Sequence, residues 1–386
     1  MYTNAWAAVK QLVSRCHARG IGVLIDLHAL PGGANKGDHS GTNSGKAELW
    51  NSRSNRDLAT RSLLFISKEV QHLDGVLGIQ LCNEADGDTP QHGLYKWYDE
   101  VIAQMAGIDP TMPLYISDAW NLGEAAKYCT AKNSLGSRNT NPIVIDTHLY
   151  WCFSDEDKAK SPQQIFQAEA PNKLKELDNH DGNVVDRGAA QVVIGEYSCV
   201  LAEESWGKSG GESKDDLVRA FGQAQSRRYQ ERAGGSFFWT YRMNWMDGGE
   251  WGFKQQTNNG AITAPPNFGL SHEDVQNRIN GAREQEGQRR QAAFDSHRGY
   301  WDGQFPGQYE HHRFEQGWTV GYQDAMVFFG MRANGGLKGS GGDKIGMLDI
   351  WIRKRIIESG QAGKFVWEFE QGFRQGVKGF YEAVGV

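Results

Sequence analysis

The chain has no thiol framework. Its five cysteines (Cys16, Cys82, Cys129, Cys152 and Cys199) are odd in number, scattered and free of CxxC spacing. That excludes a disulfide scaffold and a cysteine zinc site, while a single bridge stays open. Long apolar runs are also missing, so no segment is expected to span a membrane. Positive charge is not in excess: 41 Lys and Arg against 47 Asp and Glu leave a formal net charge of −6, which gives no electrostatic footprint for nucleic acid. The opening residues Met1-Tyr2-Thr3-Asn4-Ala5-Trp6 lack the basic and apolar regions of a signal peptide, so the chain as written predicts a soluble protein without a secretion address. No GxGxxG follows the first apolar run, which argues against a dinucleotide-binding sheet.

What is present supports a large core. Hydrophobic residues make up 39% of the 386 and charged residues 23%, which rules out global disorder. Thirteen Trp and thirteen Tyr supply flat faces that suit sugar rings as well as packed interiors. Helical spacing over residues 3–19 stops at Gly20, and the apolar run Ile21 to Leu27 then reads as a buried strand. The polar, glycine-rich segment from Pro31 to Lys46 is too long for a simple connector and reads as a binding loop. Further helices are expected over 55–70, 92–106, 121–130, 162–178 and 212–232. They alternate with strands at 76–82, 114–117, 143–148, 192–197 and 235–241. Alternation of this kind predicts an α/β protein of (β/α) barrel type, with a doubly wound open sheet as the other possibility.

Two of these strands end in a carboxylate. Gly78-Ile79-Gln80-Leu81-Cys82 runs into Asn83-Glu84, and Val192-Val193-Ile194-Gly195 runs into Glu196-Tyr197. Barrel enzymes place their chemistry at the carboxyl ends of strands, and two carboxylates are the minimum apparatus of a glycosidase. Taken singly, such a glutamate is more often a helix N-terminal charge or an ion-pair partner, a lone histidine is more often a satisfied pocket residue, and Trp239 alone would be core.

The ordered set resembles glycoside hydrolase family 5, and within it the fungal exo-β-1,3-glucanases. The resemblance rests on five blocks: Asp26-Leu27-His28-Ala29-Leu30-Pro31-Gly32 continuing to Asp38-His39-Ser40-Gly41, Asn83-Glu84, His148-Leu149-Tyr150-Trp151-Cys152-Phe153-Ser154, Gly195-Glu196-Tyr197-Ser198, and Phe237-Phe238-Trp239-Thr240. It covers roughly residues 1–262 and implies a (β/α)8 TIM barrel; outside it, the composition changes at Thr263-Ala264-Pro265-Pro266-Asn267, and 263–386 reads as a linker and a helical C-terminal extension. It also implies a retaining glycosidase with Glu84 as acid/base and Glu196 as nucleophile, the two about 5–5.5 Å apart. Asn83 would bind the sugar 2-hydroxyl, His148 and Tyr150 would order the nucleophile and sugar, and Trp239 would floor the subsite of the cleaved sugar. His28 and Asp38 would bind sugar hydroxyls, with Phe153 as an aromatic partner. Mutual repulsion of the two carboxylates is expected to help keep Glu84 protonated. The substrate implied is a β-glucan, best β-1,3-linked, with no metal and no organic cofactor. The place of action implied is extracellular or the cell wall. An inactive sugar-binding or scaffold barrel is the competing reading.

The chain departs from this family in two places. The first two barrel strands of the family lie before the His28 block, so the resemblance implies an N-terminally truncated barrel, which would also account for the missing signal peptide. Gly37 stands where the family has an aromatic residue and His39 where it has Asn; Glu250-Trp251 offers a replacement platform. Beyond residue 263, Phe314-Glu315-Gln316-Gly317-Trp318 is echoed by Phe369-Glu370-Gln371-Gly372-Phe373. This reads as close helix packing across small residues, or as a duplicated helical pair. His311-His312 with His297 does not match the spacing of a known ligand set, so no metal is expected there.

Overall fold

The computed structural model describes residues 4–88, 91–179, 182–243 and 248–386. Six parallel strands form one sheet in sequential order: β1 Val23–Asp26, β2 Val76–Gln80, β3 Leu114–Ser117, β4 Ile143–Trp151, β5 Val192–Leu201 and β6 Ser236–Phe238. Sequential parallel order with a helix in each crossover is the pattern of a (β/α) barrel, here a partial one, and it disposes of the doubly wound alternative. Helix α1 Ala5–His17 leads into β1, and the crossover helices are α2 Arg53–Val70, α3 Gln91–Ala106, α4 Leu122–Lys132 and α5 Lys214–Arg232. Residue 3, where α1 was expected to begin, lies outside the described residues.

The one crossover that departs from expectation is 162–178. It is not one helix but a short helical turn at Pro162–Gln164, a π turn at Ile165–Glu169 and two 3-10 turns, Ala170–Asn172 and Lys175–Asn179. Pro171 inside the run and Leu174 at φ 66° break the ladder. Leu174 is thereby placed on the wall of the main cavity.

Strand alternation sorts the side chains. Ile143, Ile145, Ile194 and Tyr197 turn outward onto the helices and join the largest core cluster. Val144 and Val193, with Tyr115, turn to the other face, where Leu24, Phe237, Met347 and Ile350 pack on them. Strict alternation would set Val193 and Glu196, three residues apart, on opposite faces. The register instead shifts: Thr147 pairs with Ile194 but His148 pairs with Glu196, so Gly195 is an extra, bulged residue. Only glycine fits at that position, since a Cβ on Gly195 would lie 1.8 Å from Asp146 Oδ1. The bulge therefore returns Glu196 to the face that carries Asp146, His148 and Tyr150.

Four helices follow: α6 His272–Gln304, α7 His312–Gly330, α8 Leu348–Glu358 and α9 Val366–Val384. They share a second hydrophobic cluster built on Phe314, Trp318, Tyr322, Phe369, Phe373 and Phe380. The echoed motifs meet here: Gly317 and Gly321 face the carbonyls of Phe369 and Phe373, while Gly372 and Gly376 face those of Phe314 and Trp318. Close packing across small residues is what the echo signals. The helices are tied to the sheet-bearing part by Glu370, whose two oxygens accept the backbone N–H groups of Val184 and Val185 at 2.9 Å each. All five cysteines are free thiols. Among the described residues, no helix is long and apolar enough to cross a membrane.

Candidate active site

At the carboxyl ends of the strands lies a cavity of about 1050 Å³, walled by His28, His39, Glu84, His148, Tyr150, Phe153, Glu196 and Trp239. A volume near 1000 Å³ suits an oligosaccharide fragment. Seven of the nine residues expected from the sequence line it, and Asn83 and Asp38 do not. Asn83 is buried, and among the described residues its Nδ2 has no hydrogen-bond partner. Asp38 opens a 3-10 turn and is exposed outside the cavity lining, while its neighbour His39 lines the cavity.

His148 is the electrostatic centre. Its Nδ1 is 2.8 Å from Glu84 Oε1 and 3.6 Å from Glu196 Oε2, and its Nε2 is 3.1 Å from Asp146 Oδ2. Ionised carboxylates only accept hydrogen bonds, so the ring donates from both nitrogens and is an imidazolium. Burial opposes that charge, but Asp146, Glu84 and Glu196 outweigh it and hold the His148 pKa well above its ordinary value. Beneath it Asp146 also accepts from Gln80 Nε2.

The two glutamates are held differently. Glu84 Oε2 is 3.0 Å from His39 Nε2, so each Glu84 oxygen has a histidine partner. Asn35 Nδ2 donates to the Glu84 backbone carbonyl at 2.9 Å and ties the 31–46 loop to this corner. Burial raises the Glu84 pKa, but His148 and then His39 overcome it and leave the carboxyl below its ordinary value. Glu196 Oε2 accepts the Tyr150 hydroxyl at 2.8 Å. There burial prevails over the His148 charge and the Tyr150 hydrogen bond, and the Glu196 pKa is raised. This reverses the expected bias: the Glu84 pKa is the one lowered and the Glu196 pKa the one raised, because two histidines flank Glu84. A carboxylate oxygen of Glu84 and one of Glu196 lie within 4.8 Å of each other. His28 donates no contact to either; its Nδ1 meets Asp26 Oδ2 at 2.7 Å.

Backbone strain gathers at this rim. The described non-glycine residues with positive φ are Glu84 (40°), Ala119 (47°), Trp120 (62°) and Leu174 (66°), and all but Ala119 line the cavity. Ser117 Oγ supports both corners, accepting from Ala85 N at 3.1 Å and Ala119 N at 3.2 Å. Asp118, held by Thr147 Oγ1 at 2.7 Å, is pushed by burial up to about 6. Aromatic faces complete the wall: Tyr150 packs edge-on to Phe153 at 5.5 Å, and Trp251 lies 5.9 Å from Tyr150 and 5.4 Å from Trp239. Sequence reading missed Asp118 and Trp120, which follow a strand without a motif of their own. The substitution at His39 was visible in the sequence, but its contact with Glu84 depends on how the loop folds back.

Comparison with known proteins fixes the class. The model of the cellulase family, glycosyl hydrolase family 5, matches residues 2–239, and the chain belongs to that family. It is a glycosidase, acting on O-glycosyl bonds. A second model, the glucan 1,3-beta-glucosidase 3 C-terminal domain, matches residues 282–384. Glucan 1,3-beta-glucosidase 3 of Schizosaccharomyces pombe is 29% identical over 96% of this chain and 72% of its own length. An uncharacterized glycosyl hydrolase of Saccharomyces cerevisiae is 30% identical over 97% of this chain and 68% of its own. A probable glucan 1,3-beta-glucosidase A of Aspergillus niger is 26% identical over 60% of this chain and 59% of its own.

Proposed function

We propose that the protein hydrolyses β-1,3-glucosidic bonds of a β-glucan with net retention, Glu196 serving as nucleophile and Glu84 as acid/base. The observation that carries this reading is the approach of the two carboxylates, one oxygen of each within 4.8 Å of the other across the cavity, which is compatible with the close pair a retaining glycosidase uses. In the first step Glu84 gives its proton to the glycosidic oxygen as Glu196 attacks the anomeric carbon, and the leaving sugar departs as an alcohol. In the second, Glu84, now ionised, takes a proton from water, which attacks the same carbon and releases Glu196. The Tyr150 hydroxyl steadies the Glu196 charge before attack and orients the oxygen that bonds. Asn83, with an unused buried donor, suits a hydrogen bond to the 2-hydroxyl that tightens as the oxocarbenium ion forms. His28 and Trp239 then serve as sugar contacts on the cavity wall. Phe153 and Trp251 offer the aromatic faces for the next sugar, and Trp120, 57% exposed, adds a further aromatic face to the cavity wall.

The linkage preference is supported by the glucan 1,3-beta-glucosidases named above, and action outside the cell or at the cell wall is proposed with it. The same reading divides the chain into a catalytic part, 1–262, and a helical part, 263–386, with the linker at Thr263-Ala264-Pro265-Pro266-Asn267. Proton NMR of a laminari-oligosaccharide digest tests retention. The first-formed reducing sugar is expected to be the β-anomer, drifting toward α by mutarotation; α first would sink the double displacement.

The histidine on Glu84 has a measurable consequence. His39→Asn removes the histidine's contribution to the lowered Glu84 pKa. The active form needs Glu84 protonated and Glu196 ionised. With Glu84 the lower and Glu196 the higher of the two pKa values, the acidic limb of kcat/KM follows Glu84 and is expected to move to higher pH, while the alkaline limb, which follows Glu196, stays in place. By contrast, deleting the acid itself with Glu84→Ala costs on the order of 10²–10⁴-fold for poor leaving groups. An unmoved acidic limb in His39→Asn would show that Glu84 does not control it.

A further inference from the structure

Far from the cavity, three side chains from separate elements of the helical part converge on one oxygen. His297 of α6 places Nε2 3.1 Å from Glu368 Oε2 of α9, and His311, at the N-terminal end of α7, places Nδ1 2.9 Å from the same oxygen. The side chains of His297 and Glu368 are 0% exposed and that of His311 is 15% exposed. One ligand-type atom from each lies within 4.8 Å of the other two. Among the described residues no Lys or Arg pairs with Glu368; its other oxygen accepts the backbone N–H of Glu310 at 2.8 Å. The far nitrogen of His311 is 3.1 Å from Asp302 Oδ1.

We propose that His297, His311 and Glu368 bind a divalent transition-metal ion of the zinc class, with water as fourth ligand, and so staple α6, α7 and α9 together. Two imidazoles and one carboxylate are a zinc-type donor set, and bonds of about 2.0–2.1 Å put tetrahedral ligands about 3.3 Å apart. The observed separations of 2.9 and 3.1 Å need to open only by a few tenths of an ångström. The surroundings are those of a held site. Asp302 on the outer nitrogen of His311 is the carboxylate–histidine pairing that fixes a ligand's orientation. The Glu310 N–H occupies one Glu368 oxygen and leaves the other for single-point coordination. His297 stacks on Phe314 (4.0 Å, 13°) and His311 on Tyr309 (5.2 Å, 16°), which fixes both ring planes. A buried carboxylate with a second one nearby also calls for cationic charge, which a divalent ion would supply. Water reaches the site from the partly exposed His311 side.

The full chain, freed of metal by chelator and desalted, is titrated with Co²⁺ and then with competing Zn²⁺. One equivalent of cobalt per chain is expected to give the visible absorption of a tetrahedral ion, which zinc then bleaches. His311→Gln is expected to abolish the band. Glu84→Gln, which alters the His/Glu cluster of the catalytic cavity, is expected to retain it. Asp302→Asn keeps all three ligands and is expected to weaken affinity by about 10–100-fold, a readout that does not depend on a ligand variant folding. The proposal is overturned if the unmodified chain gives no band at one equivalent. It is equally overturned if the band survives His311→Gln and vanishes in Glu84→Gln, or if Asp302→Asn binds as tightly as the parent.

Discussion

Azide added to Glu196→Ala protein is expected to restore turnover of an activated aryl β-glucoside and to yield the α-glucosyl azide. Without azide, this substitution is expected to cost at least about 10⁴-fold in kcat/KM, because it removes a group that acts only in concert with the acid/base residue. The anion fits the gap left by the side chain and attacks the anomeric carbon once, from the face opposite the leaving group, so the product is inverted. Glu84→Ala with azide is expected to give the β-glucosyl azide instead, because there the glycosyl ester on Glu196 forms normally and azide replaces water in the second step. This pair of products bears directly on the assignment of roles. The Glu84 pKa is lowered and that of Glu196 raised, a bias that on its own would name Glu196 as the acid. The bias comes from His148 and His39, which sit on Glu84. A sugar that displaces His39 and brings its glycosidic oxygen against Glu84 removes part of the depression. If the two azide products come out exchanged, the roles are exchanged as well.

Much of this site was legible in the sequence because strand periodicity carries it. His148 and Tyr150 are two apart on one strand and share a face by pleat alone. Glu196 would be set on the wrong face by the same rule. Its correct placement needs the bulge at Gly195, and the sign of that bulge in the sequence is a glycine directly before the glutamate, which the motif contained but the period did not explain. Loop residues were harder. Asp38 and His39 are neighbours, yet only His39 turns into the cavity, since a 3-10 turn over Asp38–Ser40 points alternate residues in different directions. The reversal of the Glu84 and Glu196 pKa shifts was not readable at all, because it depends on distances to two histidines that lie 45 residues before and 64 after Glu84. In the helical part, His297, His311 and Glu368 escaped a search for local ligand spacing for the same reason: the third ligand lies 57 residues beyond the second.

The echo of FEQG in that helical part was read from sequence alone, and it leads to the largest stability effect expected here. Gly372→Ala would place a Cβ 2.0 Å from the Phe314 carbonyl oxygen, and Gly317→Ala would place one 2.0 Å from that of Phe369. Both contacts are with backbone, so no rotamer change relieves them, and α7 and α9 must part by more than an ångström. Parting them loosens Trp318, Tyr322, Phe373 and Phe380, all buried along the seam. Overpacking usually costs 1–3 kcal/mol, and with rigid backbone on the far side a loss of about 3 kcal/mol or more is expected from either substitution. The near-equal cost of the two is itself a prediction, since the helices present their glycines to each other reciprocally. Gly379 provides the control within α9: a Cβ there meets Trp318 Cζ2 at 3.5 Å, an ordinary contact. Gly379→Ala is therefore expected to be neutral or to gain up to about 1 kcal/mol from helix propensity. Urea unfolding followed by tryptophan fluorescence distinguishes the cases. If Gly372→Ala unfolds at the same midpoint as Gly379→Ala, the helices do not meet backbone to backbone, and the repeated motif needs another explanation. A large loss confined to Gly317 and Gly372 would mean that the glycines are kept for a crossing distance no other residue permits. It would also bear on the sheet, because Met347 and Ile350, which enter and form α8, cover the inner-face cluster of Tyr115, Val144 and Val193 at the foot of the catalytic strands.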